Sequence, residues 1–153
     1  MALFRLTRLK YAGELGDYGG SVYGNRWNSK GVDMVYTAES RSLAMAEVMV
    51  HLTLASLPSD FMMVEIEVPN EVTYAVLKPS ELKDNWNANQ FVCFTQKTGD
   101  AFIRSGKSCL LKVPSAVVQG DSNYLINPYH IQFKLIKITA SSNFPFDHRI
   151  FKT

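Results

Sequence analysis

The sequence predicts an α+β fold built on a largely antiparallel or mixed sheet. Three observations carry this expectation. Short segments of alternating or continuous apolar residues, bounded by turn formers, outnumber helical segments. Only two stretches, 40–54 and 88–104, have the length and composition of helices. Most neighbouring strands are joined without room for a helical crossover, which disfavours a parallel sheet. The 153 residues fit one domain spanning 1–153, long enough to bury a core without disulfide or metal staples.

The elements follow in order. Phe4 to Arg8 alternates like a half-buried strand. Tyr18 to Gly24 is glycine-rich and reads as loop. Met34 to Thr37 is a short second strand, and Ser40 is a candidate N-cap for a helix through about Leu54, before Pro58. That helix is apolar nearly all round (Leu43, Met45, Val48, Met49, Leu52), which predicts burial. Phe61 to Val68 is the clearest strand, with Val64, Ile66 and Val68 on one face and Glu65 and Glu67 on the other. Val72 to Leu77 is a further strand. Ala88 to Arg104 reads as a helix interrupted near Gly99, its apolar Phe91, Val92 and Phe94 fitting core or interface equally. Cys109 to Val113 is a buried strand stopped by Pro114, Asn123 to Pro128 a strand end and turn, and Phe133 to Thr139 a last alternating strand. Phe146 to Phe151 closes the chain.

Composition narrows the function. Charged residues make up 20% and hydrophobic residues 46%, the profile of an ordinary globular protein. A formal charge of +2 with scattered basic residues argues against a nucleic-acid groove. The two cysteines, Cys93 and Cys109, form no Cys-x-x-Cys pair, and free buried thiols in a reducing cytoplasm are expected. Neither a signal peptide nor a membrane-spanning stretch is visible. His51, His130 and His148 lie far apart and lack metal-site spacing, so no metal is expected. There is no phosphate-binding glycine motif and no nucleophile elbow. A triad of Ser115, His130 and Asp147 can be written down, as in any chain this long.

The residues suited to chemistry gather between 24 and 47. Arg26 follows the glycine-rich loop, and a guanidinium fork matches phosphate oxygens; a solvated surface arginine is the plain alternative. Trp27 suits an enclosed setting or simply a core. Lys30 offers charge for a phosphate, or none if it is only a turn lysine. Tyr36, at a strand end, can stack on a planar base and orient a ribose through its hydroxyl, or sit in the core. Glu47 is one carboxylate in an apolar helix, costly unless functional or paired, the natural partner being His51 one turn on. Ser115 suits a ligand contact or a turn cap, and Asn123 a turn.

Taken together, Gly-Asn-Arg26-Trp-Asn, Val-Tyr36-Thr-Ala-Glu-Ser, Ala-Met-Ala-Glu47-Val, Val-Pro-Ser115-Ala-Val-Val, Asn123-Tyr-Leu-Ile-Asn-Pro and the terminal Phe146-Asp-His-Arg resemble the RES domain, the toxin half of bacterial Xre–RES toxin–antitoxin pairs. The resemblance runs in order over nearly the whole chain. It implies an ADP-ribosyltransferase-like fold and an enzyme that consumes NAD by breaking the nicotinamide–ribose bond, with phosphate, water or a protein side chain as acceptor. It implies Arg26, Tyr36, Glu47 and Ser115 as catalytic residues; with them, Trp27, Lys30 and Asn123 are the candidates to join Arg26, Tyr36 and Ser115 in holding NAD. It further implies an Xre-like helix-turn-helix antitoxin as partner and a homodimer within a larger complex, with no membrane and no direct nucleic-acid contact. The family's further tyrosine after the glutamate helix has no counterpart near Ser56. Two rival readings remain at this stage, a ribonuclease-type toxin and a non-catalytic interaction module.

Overall fold

In the computed structural model, which describes residues 1–16, 20–88 and 93–151, seven strands form one mixed sheet. They are β1 (Ala2–Arg8), β2 (Val35–Ala38), β3 (Phe61–Glu67), β4 (Tyr74–Val76), β5 (Leu110–Pro114), β6 (Ser122–Ile126) and β7 (Lys137–Asn143), ordered β4-β5-β6-β2-β1-β3-β7. All neighbours are antiparallel except β4 and β5. That parallel pair needs a crossover, and α3 (Cys93–Ser105) supplies it. Helix α1 (Gly20–Tyr23) is a single turn and α2 (Arg41–Met49) follows β2. The expected α+β class with a mixed sheet therefore holds.

Alternation along the strands sorts the core onto two faces. Val35, Val64, Ile66, Val68, Cys109, Leu110, Tyr124 and Ile126 belong to a cluster on one face. The residues between them point the other way and form two clusters. Leu6, Ala38, Phe61 and Met63 pack under α2, while Leu111, Val113 and Leu125 pack with Trp27, Met34 and Phe102 under α3. Phe4 opposes Ala38 across β1 and β2, and Asn123 opposes Ala38 on the other side and Val113 beyond. Tyr36 and Asn123 thus share the face between the two helix-covered clusters, and a cleft opens there.

Several elements differ from expectation, each for a local reason. Part of the glycine-rich loop is helical: Gly20–Tyr23 makes one turn, tied by Gly31 N–H donating to Ser21 O at 2.6 Å; Tyr18 and Gly19 lie outside the described residues. α2 ends at Met49 rather than near Leu54, because Thr53 and Ser56 bond each other (2.8 Å between hydroxyls) and start a separate 3-10 turn over Leu54–Ser56. Nor is α2 buried all round. Only Leu43 and Ala44 are fully covered, since one flank borders the cleft.

α3 begins among the described residues at Cys93 and runs unbroken through Gly99; residues 89–92, with Phe91 and Val92, lie outside them. Ala88 precedes the helix in a bend. The alternation of Phe133 and Leu135 belongs to a 3-10 segment (Ile131–Leu135) covering the sheet's first face, so the last strand starts later, at Lys137. Of the two thiols only Cys109 is buried, while Cys93 is exposed.

Candidate active site

A cleft of about 740 Å³ lies between α2 and the segment preceding α3. Its volume falls within the range of small-molecule sites. Glu47 and Val48 line it from α2, His51 from the turn after it, Arg26 from the 25–29 loop, Tyr36 from β2, Asn123 from β6 and Asn87 from the opposite wall.

Glu47 is placed by a well-capped helix. Ser40 Oγ accepts from Leu43 N–H at 3.1 Å, with Ser40 itself extended (φ −145°, ψ 159°), so α2 starts at Arg41, directly after its cap. The carboxylate then meets two donors, one from the turn after β5 and one from β6. Ser115 Oγ donates to Glu47 Oε1 at 2.7 Å and Asn123 Nδ2 donates to the same oxygen at 2.5 Å. Both bonds fall on Oε1, and no donor among the described residues reaches Oε2. The alternative partner, His51, makes no bond to Glu47. It is exposed on the cleft rim instead.

Ser115 is buried and does not line the cleft. Its oxygen also accepts from Val117 N–H (3.1 Å) and Val118 N–H (3.0 Å), so it caps the turn after β5 while its proton goes to Glu47. Asn123 cannot be turned round without setting its carbonyl oxygen against the carboxylate. In the observed orientation that oxygen, Oδ1, is buried with no partner, an uncommon state for a polar atom.

Arg26 is half-buried. Its Nη1 donates to Trp86 O at 2.8 Å and Nη2 to Ala88 O at 2.9 Å, which fixes the plane of the guanidinium against the wall that carries Asn87. Burial pulls its pKa below the ordinary arginine value, and the nearby Glu47 and Tyr36 act in the opposite sense. Arginine remains charged throughout the accessible range. Tyr36 lines the cleft, but its hydroxyl is committed: it donates to Asn28 Oδ1 at 2.6 Å and accepts from Trp27 N–H at 3.0 Å. Its proton is therefore not available to a ribose, and the ring is what the cleft meets. Trp27 is 3% exposed, packed on Trp86 with ring centroids 5.9 Å apart. It belongs to the α3 cluster and also contributes to the lining of the cleft. Lys30 is exposed and lies off the cleft wall. A turn lysine without a buried neighbour stays in water, so the geometry does not bring it to the site.

The arrangement brings Arg26, Trp27, Tyr36, Glu47 and Asn123 around one cavity, with Ser115 behind the carboxylate. Sequence reasoning missed Asn28, whose amide organises Tyr36, and Asn87. The repeated asparagines of Gly-Asn-Arg-Trp-Asn were the only signal for the first.

A family model described as the RES domain matches residues 2–147. This chain belongs to the RES domain family. Among similar proteins, the "Prs ADP-ribosylating toxin" of Sphingobium sp. (strain YBL2) is 38% identical over 95% of this chain and 92% of its own length. A "Toxin Res" of Yersinia enterocolitica is 34% identical over 98% and 99%, and another of Photorhabdus laumondii 36% over 99% and 98%. In structure the RES chain resembles the M. tuberculosis MbcT–MbcA toxin–antitoxin complex, with a TM-score of 0.76 over 94% of this chain and 84% of the matched one. At 18% identity that likeness speaks to the fold alone. Among the described residues there is no His/Cys/Asp/Glu group suited to a metal, and no helix long and apolar enough to cross a membrane.

Proposed function

We propose that this RES protein is a toxin that consumes NAD by cleaving the bond between nicotinamide and ribose. The observation that carries the reading is the state of Glu47. One carboxylate oxygen is anchored by Ser115 and Asn123, the other meets no hydrogen-bond donor among the described residues, and Glu47 lines a cleft that also holds a guanidinium and an aromatic face.

Cleavage of an N-glycosidic bond builds positive charge on the ribose as the base departs. A fixed carboxylate stabilises that charge, as carboxylates do in glycoside chemistry. Glu47 Oε2 would take the ribose hydroxyls and face the developing cation. Tyr36 would hold the nicotinamide ring by stacking. Arg26 would bind the pyrophosphate, whose oxygens are stronger acceptors than carbonyls. Asn123 would hold the ribose together with Glu47. The C1′–N bond breaks with its electron pair going to nicotinamide nitrogen, which leaves neutral. An anionic oxygen of inorganic phosphate then bonds C1′, or a water oxygen does so and gives up a proton to solvent.

A second reading rests on the Sphingobium relative, whose name describes an ADP-ribosylating toxin. There the acceptor oxygen or nitrogen would belong to a protein side chain. In either case the partner would be an antitoxin of the Xre-like helix-turn-helix kind. The setting would be the cytoplasm, with the chain pairing as a homodimer inside the larger complex.

The test is direct. Purified protein is mixed with NAD alone, with NAD and phosphate, and with NAD and a cell extract, while nicotinamide release and label transfer are followed. Release that depends on phosphate or proceeds in water supports the first reading. Release only with label incorporated into a macromolecule selects the second. No nicotinamide in any arm overturns both.

A further inference from the structure

The 25–29 loop that carries Arg26 is held from behind by one face of α3. Gln96 Nε2 donates to Asn25 O at 3.0 Å and reaches Asn28 O at 3.4 Å. One turn further, Asp100 Oδ1 accepts from Ser29 N–H at 2.9 Å, with Asp100 only 6% exposed. Between them a Cβ on Gly99 would stand 1.7 Å from Trp27 O, so only glycine lets the loop lie this close. Residues 96, 99 and 100 fall on one helical stripe. None of them lines the cleft.

All three contacts are made to loop backbone and not to loop side chains. They therefore set where the loop lies whatever its side chains are, and Arg26 is delivered to the cleft by register. The same loop then reaches β2, because Trp27 N–H and Asn28 Oδ1 are the two partners of the Tyr36 hydroxyl. A continuous chain of bonds thus runs from Asp100 through Ser29 and Asn28 to Tyr36.

We propose that Gln96, Gly99 and Asp100 are positioning residues, a template on α3 that sets the Arg26 guanidinium and the Tyr36 ring relative to Glu47. The assignment rests on the reading that Arg26 and Tyr36 handle the dinucleotide. A buried carboxylate is a costly means of merely packing a helix on a loop, which apolar side chains do better. Its use here fits a demand for geometry, since misplacement of a binding group by about 1 Å can cost on the order of a hundredfold in rate.

The test uses the full chain and the variants Asp100→Ala, Asp100→Asn and Gly99→Ala, read by KM and kcat for NAD and by hydrogen exchange of the 25–29 amides. Asp100→Ala raises KM for NAD about tenfold, moves kcat less, and speeds exchange at Ser29. Asp100→Asn, whose side-chain oxygen still accepts from Ser29 N–H, restores both. Gly99→Ala impairs turnover although alanine is the better helix former. Should Asp100→Ala fail to fold, Gln96→Met removes the two bonds at the other end of the stripe and is read the same way. Parental KM and exchange in Asp100→Ala or Gln96→Met, or no rescue by Asp100→Asn, overturns the template. If the parental protein leaves NAD intact, the functional reading fails separately, and the exchange rates alone decide whether α3 holds the loop.

Discussion

Glu47 is held by one oxygen, and that asymmetry sets what its neighbours do. Ser115 and Asn123 both donate to Oε1, so a substitution at either releases one of two bonds, whereas Glu47→Gln keeps the shape and removes the charge. Glu47→Gln also turns an amide donor or carbonyl toward Ser115 and Asn123, which the fold tolerates because the site borders a cleft. We expect Glu47→Gln to keep its thermal midpoint within a few degrees and to lose NAD turnover by about a hundredfold or more, the scale of removing one fixed electrostatic group. Ser115→Ala should lose less, since Asn123 still orients the carboxylate. Nicotinamide release under saturating NAD checks both, and a Ser115→Ala loss exceeding that of Glu47→Gln would contradict the geometry. At this scale the two residues that look most out of place in the sequence, Arg26 and Glu47, are ones that the fold brings to one cleft. An arginine after a glycine-rich loop and a carboxylate in an apolar helix stand out because they are costly there. Lys30 shows the limit, since charge near a motif says nothing about direction. Gln96 and Asp100 were invisible because their partners are backbone atoms about 70 residues away, which no side-chain pattern encodes. Gly99 did carry a signal, read as a helix break when it marks a close approach.

Elements were legible where a local rule dominates and obscure where two rules compete. The Ser40 cap lies where the sequence places it, because a hydroxyl before an apolar run has one good use. The end of α2 was lost to a contest between apolar periodicity and the hydroxyl pair of Thr53 and Ser56, which the hydroxyls win. The strand expected at Phe133 reads correctly as alternation, yet the 3-10 segment satisfies the same apolar residues against the sheet. The cap itself is testable apart from catalysis. Ser40→Ala leaves Leu43 N–H without its acceptor and should cost about 1 kcal/mol. For a chain of this size that corresponds to a midpoint lower by roughly 2–4 °C. Thermal and urea unfolding measure it, and turnover per folded molecule should stay near parental because Glu47 remains on a formed helix. An unchanged midpoint would mean that the cap contributes nothing and that α2 is held by its packing on Leu6, Phe61 and Met63 alone.

On the scale of the whole molecule, the cleft sits on one face of the sheet and the other face is closed by a cluster that includes Cys109. Separation of these two faces lets fold stability be perturbed without touching the site. Cys109 is fully covered at the edge of β5, and burial pushes its thiol from the ordinary 9.0 up to about 11. The sign follows from which state holds the proton. Below 9.0 the thiol is protonated in both folded and unfolded chains, and pH has no leverage through it. Between 9.0 and about 11 the unfolded chain gives up the proton while the folded one keeps it, so raising the pH favours unfolding. Cys109→Ala removes that titration, at the expense of a small cavity that lowers stability at every pH. We therefore expect unfolding free energy to fall more steeply across this window in the parental protein than in Cys109→Ala. Lysines, tyrosines and Cys93 are common to both, so the difference in slope isolates the buried thiol. Urea unfolding at several pH values across the window, parental against variant, measures it. Parallel curves would place the Cys109 thiol in contact with solvent and would break the division between a closed face that holds the fold and an open face that carries the site.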